Sequence, residues 1–392
     1  MQDSFSNVDM QHSATHQLPI EFTGSGSEYF RIWIVNLLLM FVTFGLYYPW
    51  AKVRRLRYFY ANTLVGGEPL GFHADPKKMF KGYFLVGILF ALYSAAGNFS
   101  AFAGFMALVI VAAMCPALLK SSMQFRLANT SWRGLRFHFK GSVGGGYRAV
   151  MPLFVPGLVI LAAVVGIDDP DKPPVWYLAT LGVVVVVTLA VLPWLLWNLK
   201  QYQHNNYALA SLQTTFKATL RSFYKLFVRA LGVVLLPTGL VVAFAAVVVF
   251  LGKANLSSGI LHKGIMSPAM FVVLVMANVV AVATTLAIAK PYFTSHLQNL
   301  VWTRTGNASL RFVSNLRFSS LLWLTLKNWL LVVVTFGLYW PFAAVAVARM
   351  RLQAVTVKTR VDPDTLVSQM RSVEGEAAGD AAGDLFGLDI GL

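Results

Sequence analysis

Carboxylates are the first residues to look for, because hydrolysis, glycosyl transfer and many proton-coupled transport cycles use them. The chain has sixteen Asp and Glu in 392 residues, and none lies between Asp75 and Asp168 or between Asp171 and Asp362. A pair of acids for general acid–base work, or a buried carboxylate relay, therefore has almost nowhere to sit. Glu68 and Asp75 alone could serve a reaction in the first basic loop. Histidine offers a second chemistry. His73 in GFHAD, His138 in RFHF, His204 and His296 fall one in each of four basic stretches, and imidazoles on one membrane face could share a metal. They have no Cys partners and form no helical His-x-x-x-His pair, so no metal is expected and an amphipathic interface ring accounts for them. KGSVGGGYR at 140–148 has the glycine content of a phosphate loop but not its G-x-x-x-x-G-K-[ST] spacing, and it leads into an apolar run; it reads as a flexible entry to a span. No Ser, His and acid set stands out for nucleophilic catalysis. These residues predict neither an enzyme nor a cofactor.

Cations are the stronger signal. In AKVRRLRYFY, Lys52, Arg54, Arg55 and Arg57 stand beside an apolar run with three aromatics after them. Anionic head groups attract such clusters by about 1 kcal/mol per Lys or Arg, and orientation in the bilayer uses the same charges. With Asn62 and the matching Arg126, Asn129 and Arg133 of the second basic stretch, they are the candidate lipid- or ligand-binding residues. Anionic phospholipid is the expected partner. Nucleic acid is not, because the net charge of +16 is spread along juxtamembrane loops. Polar groups inside apolar runs are few: Asn36, Asn278, Thr284 and Asn328 are candidates for helix-to-helix hydrogen bonds or for lining a pathway.

The elements that must position these residues are membrane helices. At 57% hydrophobic and 12% charged, the chain is far more apolar than an average soluble domain. About eight runs approach the 17–25 residues that cross a bilayer: about 31–48, 83–97, 99–119, 150–166, 176–197, 230–251, 268–289 and 321–348. The second and third are parted by AGNFS alone, and a count of seven follows if they are one. The polar, acidic first 29 residues carry no Lys or Arg and are not a signal peptide. The single cysteine, Cys115, permits no internal disulfide. The four long loops 49–82, 120–149, 198–229 and 290–320 hold 22 of the 32 Lys and Arg and are expected in the cytoplasm. Eight spans then put both termini outside, against which stand Arg349, Arg351, Lys358, Arg360 and Arg371 after the last run. The expected organisation is a polar segment at 1–29, a multi-pass domain at 30–350 and a tail at 351–392, rich in Ala, Gly and acids from about 361 and mostly disordered.

The basic loops repeat one another. Pro49 leads to Asn62 and Phe72, Pro116 to Asn129 and Phe137, Pro193 to Asn206 and Phe216, and Pro291 more faintly to Arg304 and Phe312. Within each, a β-hairpin is expected: YANTLVGGEPLGFHA has a Gly-Gly turn and NTSWRGLRFHF alternates about a Gly. Lone hairpins are marginal in water, so these should pack together beneath the membrane. The fold class is thus an all-α polytopic membrane protein in repeated units, with short cytoplasmic β-hairpins.

Three stretches, EYFRIWIVNLLLMFVTFGLYYPWAKVRRLRYFYANT at 28–63, RLANTSWRGLRFHFKGS at 126–142 and LKNWLLVVVTFGLYWPFA at 326–343, resemble the YjgN-like family. The resemblance implies a multi-pass protein of the Gram-negative inner membrane and brings no agreed activity with it. Residues 36–51 and 328–343 match at eleven of sixteen positions, including Gly45/Gly337 and Pro49/Pro341. Gly and Pro flanked by Tyr and Trp describe a helix that bends or ends at the aromatic belt, and Pro116, Pro193 and Pro291 are read as further breaks. Lys52, Arg54 and Arg55 are replaced by Ala344, Ala346 and Val347 in the second copy, as expected if the last span crosses in the opposite sense. Two functions fit: a transporter or channel for a lipid or other amphipath, and a non-transporting factor that binds anionic lipid or a protein through its basic loops in envelope assembly.

Overall fold

Backbone groups in a bilayer must be paired within the protein, so the apolar runs become helices and strands can form where water reaches. The computed structural model describes residues 16–167, 172–256, 268–365, 367, 368 and 370, without side chains at 248–270 and at scattered positions between 237 and 286. The helices are α1 (Gly26–Val42), α2 (Tyr48–Ala61), α3 (Pro76–Phe99), α4 (Ala101–Ala128), α5 (Val143–Val150), α6 (Val155–Val165), α7 (Val175–Asn205), α8 (Leu220–Leu256), α9 (Pro268–Thr303), α10 (Phe318–Val334) and α11 (Trp340–Gln353). The strands are β1 (His16–Phe22), β2 (Thr63–Val65), β3 (Glu68–Phe72), β4 (Thr130–Trp132), β5 (Leu135–Phe139), β6 (Tyr207–Leu209), β7 (Leu212–Gln213), β8 (Thr215–Phe216), β9 (Thr305–Gly306), β10 (Leu310–Ser314) and β11 (Val355–Thr359).

The hairpins do not stay separate. All eleven strands join one sheet in the order β7-β6-β5-β4-β3-β2-β1-β11-β10-β9-β8, so the fold is not all-α. Its two end strands, β7 and β8, are parted by Thr214 alone. The stretch from Leu212 to Phe216 therefore pairs with β6 through its first half and with β9 through its second, and the sheet closes on itself. Closure leaves no exposed edge to aggregate. The turns were legible: Gly66 and Gly67 both have positive φ, as do Arg133 and Gly134, the requirement of two-residue hairpin turns.

The same order of elements recurs around the ring. A helix ends beside a strand, the chain turns, and the returning strand pairs first with its own partner and then with the next hairpin. β3 pairs with β2 at Glu68 and Pro69 and with β4 from Leu70 to Phe72, and β5 divides likewise between β4 and β6. β1 pairs with β11 at 16–19 and with β2 at 20–22, so the two chain ends together make the fifth hairpin. Phe22, Phe72, Phe139 and Phe216 end their strands, are buried, and precede the next helix by three residues. Residue 139, rather than Phe137, is thus the counterpart of Phe72, and Ser314, rather than Phe312, that of the fourth loop, each 23 residues after its proline.

Four helices, α3, α4, α7 and the Leu220–Val241 part of α8, are long and apolar enough to cross a membrane, and the pair from Val143 to Val165, bent by 52°, makes a fifth span if counted as one. The expected first and last spans behave otherwise. β1 and β2 are neighbours in the sheet, so α1 leaves it and α2 returns to it; β10, α10, α11 and β11 do the same. TFGLY at 43–47 and at 335–339 is the tight turn between them, with positive φ at Phe44, Gly45, Phe336 and Gly337. Neither phrase ends a one-way crossing, and both terminal strands lie on the side of the basic hairpins rather than opposite them. The boundaries at 29 and 351 likewise fall inside the ring. Pro116, Pro193 and Pro291 lie within continuous helices and break none of them, whereas Pro49 and Pro341 stand in the first turns of α2 and α11.

Candidate functional site

Inside the ring is a cavity of about 790 Å³, walled by strand residues such as Leu18, Val65, Leu70, Trp132, Phe312 and Val357, and roofed by helix ends. The helices reach it through one face. Met123, Arg126 and Leu127 of α4 stand 7, 10 and 11 residues beyond Pro116; Lys200, Gln203 and His204 of α7 stand at the same steps from Pro193, and Gln298, Val301 and Trp302 of α9 from Pro291. Steps of three and four residues share one side of a helix. Tyr60 of α2 and Arg351 of α11 complete the circle, at the steps of 11 and 10 from Pro49 and Pro341.

The polar groups on this roof are cationic or neutral. Arg126 donates from Nε to the Tyr60 hydroxyl at 3.1 Å, Lys200 donates to Gln203 Oε1 at 3.0 Å, and Arg351 donates from Nε to Gln298 Oε1 at 2.8 Å. The surface that Arg126 exposes is the cavity's own. Among the described residues no Asp or Glu lines the cavity, and the one ion pair is Arg133 with Asp364, elsewhere. Burial lowers the pKa of Arg351, whose charge has no acid beside it among the described residues. Burial pushes Tyr207 up to about 12. Thr305 donates its hydroxyl to the Val301 carbonyl at 2.7 Å, so it accepts from His204 Nδ1 at 3.0 Å, and the hydrogen-bond network assigns a proton to Nδ1.

Of the residues expected to bind a ligand, Arg126 alone lines this cavity. Lys52 donates to the Tyr83 hydroxyl at 3.0 Å, Arg57 donates to the Ala74 carbonyl at 2.9 Å, and Arg54 and Arg55 are exposed on α2, Arg55 over the Phe59 ring. Asn62 and Asn129 cap their helices, each donating to a carbonyl four residues back, Tyr58 at 2.9 Å and Phe125 at 2.8 Å. Arg133 pairs with Asp364 on the far end of the ring. Asn36 is buried with its Nδ2 3.5 Å from the Ala51 carbonyl across the α1–α2 hairpin, and its Oδ1 has no partner; buried Asn328 lacks one for Nδ2. Asn278 is exposed, and the Thr284 side chain lies outside the described residues. The histidines part company: His73 meets Ser131, His204 meets Thr305 and His296 stacks on Tyr292, and among the described residues no three metal-ligating side chains gather. The glycine run is not a flexible entry but the start of α5, where Gly146 approaches the Tyr202 ring so closely that a Cβ would lie 3.2 Å from its hydroxyl. Lys200, His204, Gln298 and Arg351 were missed, although their register from the prolines was readable.

The distal end of the ring is covered. Val367 and Met370, beyond β11, are buried against Leu18, Trp132, Leu135, Ala210 and Val357, three of which also line the cavity.

Residues 17–385 match the family described as bacterial protein of unknown function (DUF898). The chain is 24% identical over 372 residues to "Inner membrane protein YjgN" of Salmonella typhimurium, covering 92% of this chain and 93% of that one. It is 30% identical over 125 residues to "Inner membrane protein YjgN" of Escherichia coli K12, covering 32% and 31%. No solved structure matches it.

Proposed function

As the chain belongs to the DUF898 family and to the Gram-negative inner membrane, we propose that it is a transporter or channel for a lipid or another amphipathic solute, built from five copies of one unit around a hollow axis. In this reading the six crossing segments are α3, α4, the bent α5–α6 pair, α7, α8 and α9, and the basic hairpins face the cytoplasm.

The observation that carries the proposal is the single-layered helix ring. Each helix touches the next in chain order, with α5 and α6 together filling one place between α4 and α7, and α11 closes the circle on α1. On α7, Val183, Val185, Val186 and Val187 are 62%, 48%, 66% and 53% exposed. At about 100° per residue these four positions spread over an arc of about 200°, more than half of the helix circumference. One face of such a helix meets lipid, and the other meets an axis walled by hydrocarbon. An apolar axis admits acyl chains and opposes bare ions. The ring is also uneven in height. α2 and α11 have 14 residues each, against 28, 31 and 36 in α4, α7 and α9. The sector of α1, α2, α10 and α11 thus stops lower, with Phe44 and Phe336 96% and 97% exposed at its tips, and leaves the axis open to the bilayer at one side.

A second reading rests on Arg54 and Arg55, which are exposed and could hold anionic lipid or a protein partner from outside the ring without transport. Purified protein in liposomes, assayed for lipid scrambling and for solute flux with and without substitution of Asn36 and Asn328, separates the two. Scrambling above protein-free liposomes supports transport; no flux of any lipid or solute under any condition would sink it.

A further inference from the structure

We infer that the ring cavity is a binding site for the anionic head group of a single amphipath, a phosphate or carboxylate joined to an apolar body, with Arg126, Lys200 and Arg351 as its cations. The inference rests on the amphipath reading above and names the ligand class and its residues.

Three facts about the cavity lead there. First, its charge is one-sided: Arg126, Lys200 and Arg351 line it and, among the described residues, no carboxylate does. None of the three pairs with an acid among the described residues: their partners are a phenol and two Gln side-chain oxygens. The Arg126 and Arg351 side chains make their hydrogen bonds through Nε, which leaves the terminal amino groups of both guanidiniums without a partner among the described residues and available for bidentate contact with an oxyanion. Second, His204 does not compete for the anion through Nδ1, because that nitrogen is directed to Thr305. Third, the rest of the wall is apolar: Leu18, Val65, Leu70, Phe312 and Val357 offer hydrocarbon below the polar roof. A free inorganic anion would use the cations and waste the wall, whereas an amphipath uses both. The volume of about 790 Å³ lies within the range of roughly 300–1,000 Å³ typical of small-molecule pockets.

The test uses the full chain in a neutral maltoside detergent, with dodecyl phosphate as probe and calorimetric titration as readout. One saturable site per chain is expected. Dodecyl phosphocholine, which has the same tail but no net charge, should bind at least about tenfold more weakly, and so should inorganic phosphate, which has no tail, because each loses one half of the recognition. Decanoate, a carboxylate on a short tail, should compete. Arg126→Gln, Lys200→Met and Arg351→Gln should each weaken dodecyl phosphate by about tenfold or more, as lost charge-assisted hydrogen bonds do. Arg351→Lys guards against misfolding, since it keeps the charge and should retain most of the affinity. Arg54→Gln with Arg55→Gln, outside the cavity, should change nothing. Equal binding by the triple Arg126, Lys200 and Arg351 variant and the parent, or loss of binding in the Arg54 and Arg55 variant instead, would overturn the site. Binding that obeys these rules without flux in liposomes would leave the site standing and remove the transport reading; flux in the triple variant would do the reverse.

Discussion

Val367 and Met370 cover the distal end of the ring without adding a strand to it, so they should come away locally while the ring stays closed. Met370 is 3% exposed and Val367 7%. Truncating a buried Met to Ala costs about 2–5 kcal/mol, and the lower end applies where neighbours can collapse into the space, as at an open ring end. With about 1.4 kcal/mol per factor of ten, a loss of about 2–2.8 kcal/mol raises the undocked fraction some 30- to 100-fold. Val357 reports it, because it packs under these residues and lines the cavity. With Cys115→Ser removing the native thiol and Val357→Cys adding one, labelling by a water-soluble maleimide should proceed at a rate set by undocking. Met370→Ala should accelerate it about 30- to 100-fold at unchanged melting temperature. Asp364→Asn should accelerate it by no more than about fivefold, since Asp364 is 85% exposed and surface pairs contribute about 0–1 kcal/mol. An unchanged rate in Met370→Ala would refute local docking, and a matching fall in melting temperature would show that the segment belongs to the global fold.

Asn36→Leu should change the melting temperature little or raise it, because a 3.5 Å contact is lost together with an unpaired buried oxygen; a loss above about 2 kcal/mol would contradict this. Gly45→Ala should cost about 1–2 kcal/mol from backbone strain at φ 86° alone, since a Cβ there meets nothing within 4 Å. Gly45→Asn should cost less, and equal losses would point to a steric cause instead.

Much of the ring was legible locally. Gly66-Gly67 and Arg133-Gly134 announce two turns, and the step of 13 residues from Pro49 to Asn62 recurs from Pro116 to Asn129 and from Pro193 to Asn206. Asn62, Asn129 and Asn206 were harder to assign. Asn62 and Asn129 were read as ligand candidates, whereas each satisfies a carbonyl at its own helix end, as Asn206 does for Tyr202 at 2.7 Å. Closure was out of reach, because it depends on β1 meeting β11 from opposite ends of the chain, and a five-residue strand such as VTVKT carries no sign of its partner. Without closure the faces 7, 10 and 11 residues beyond each proline have no common centre, and Lys200 and Arg351 look like two more juxtamembrane charges.

The duplicated phrase shows how the same residues can mislead about direction. TFGLYYPWA is followed by Lys52, Arg54 and Arg55, and TFGLYWPFA by Ala344, Ala346 and Val347. A charge lost at a helix start suggests a span reversed in the bilayer. Both copies run the same way here, from a tight turn back to the sheet, so orientation is not the cause. Their neighbours differ. α2 stands between α1 and α3 with Arg54 and Arg55 exposed, whereas α11 is held by α10, α1 and β1, with Val345 buried against Phe22 and Tyr29. Ala346 and Val347 are half-buried where Arg54 and Arg55 are exposed, so an Arg there would lose part of its hydration. Position 349 keeps its Arg because that guanidinium reaches the Gly24 carbonyl at 2.7 Å. Charge thus follows packing at this seam: it is lost where the fifth unit closes on the first, and kept where a carbonyl receives it.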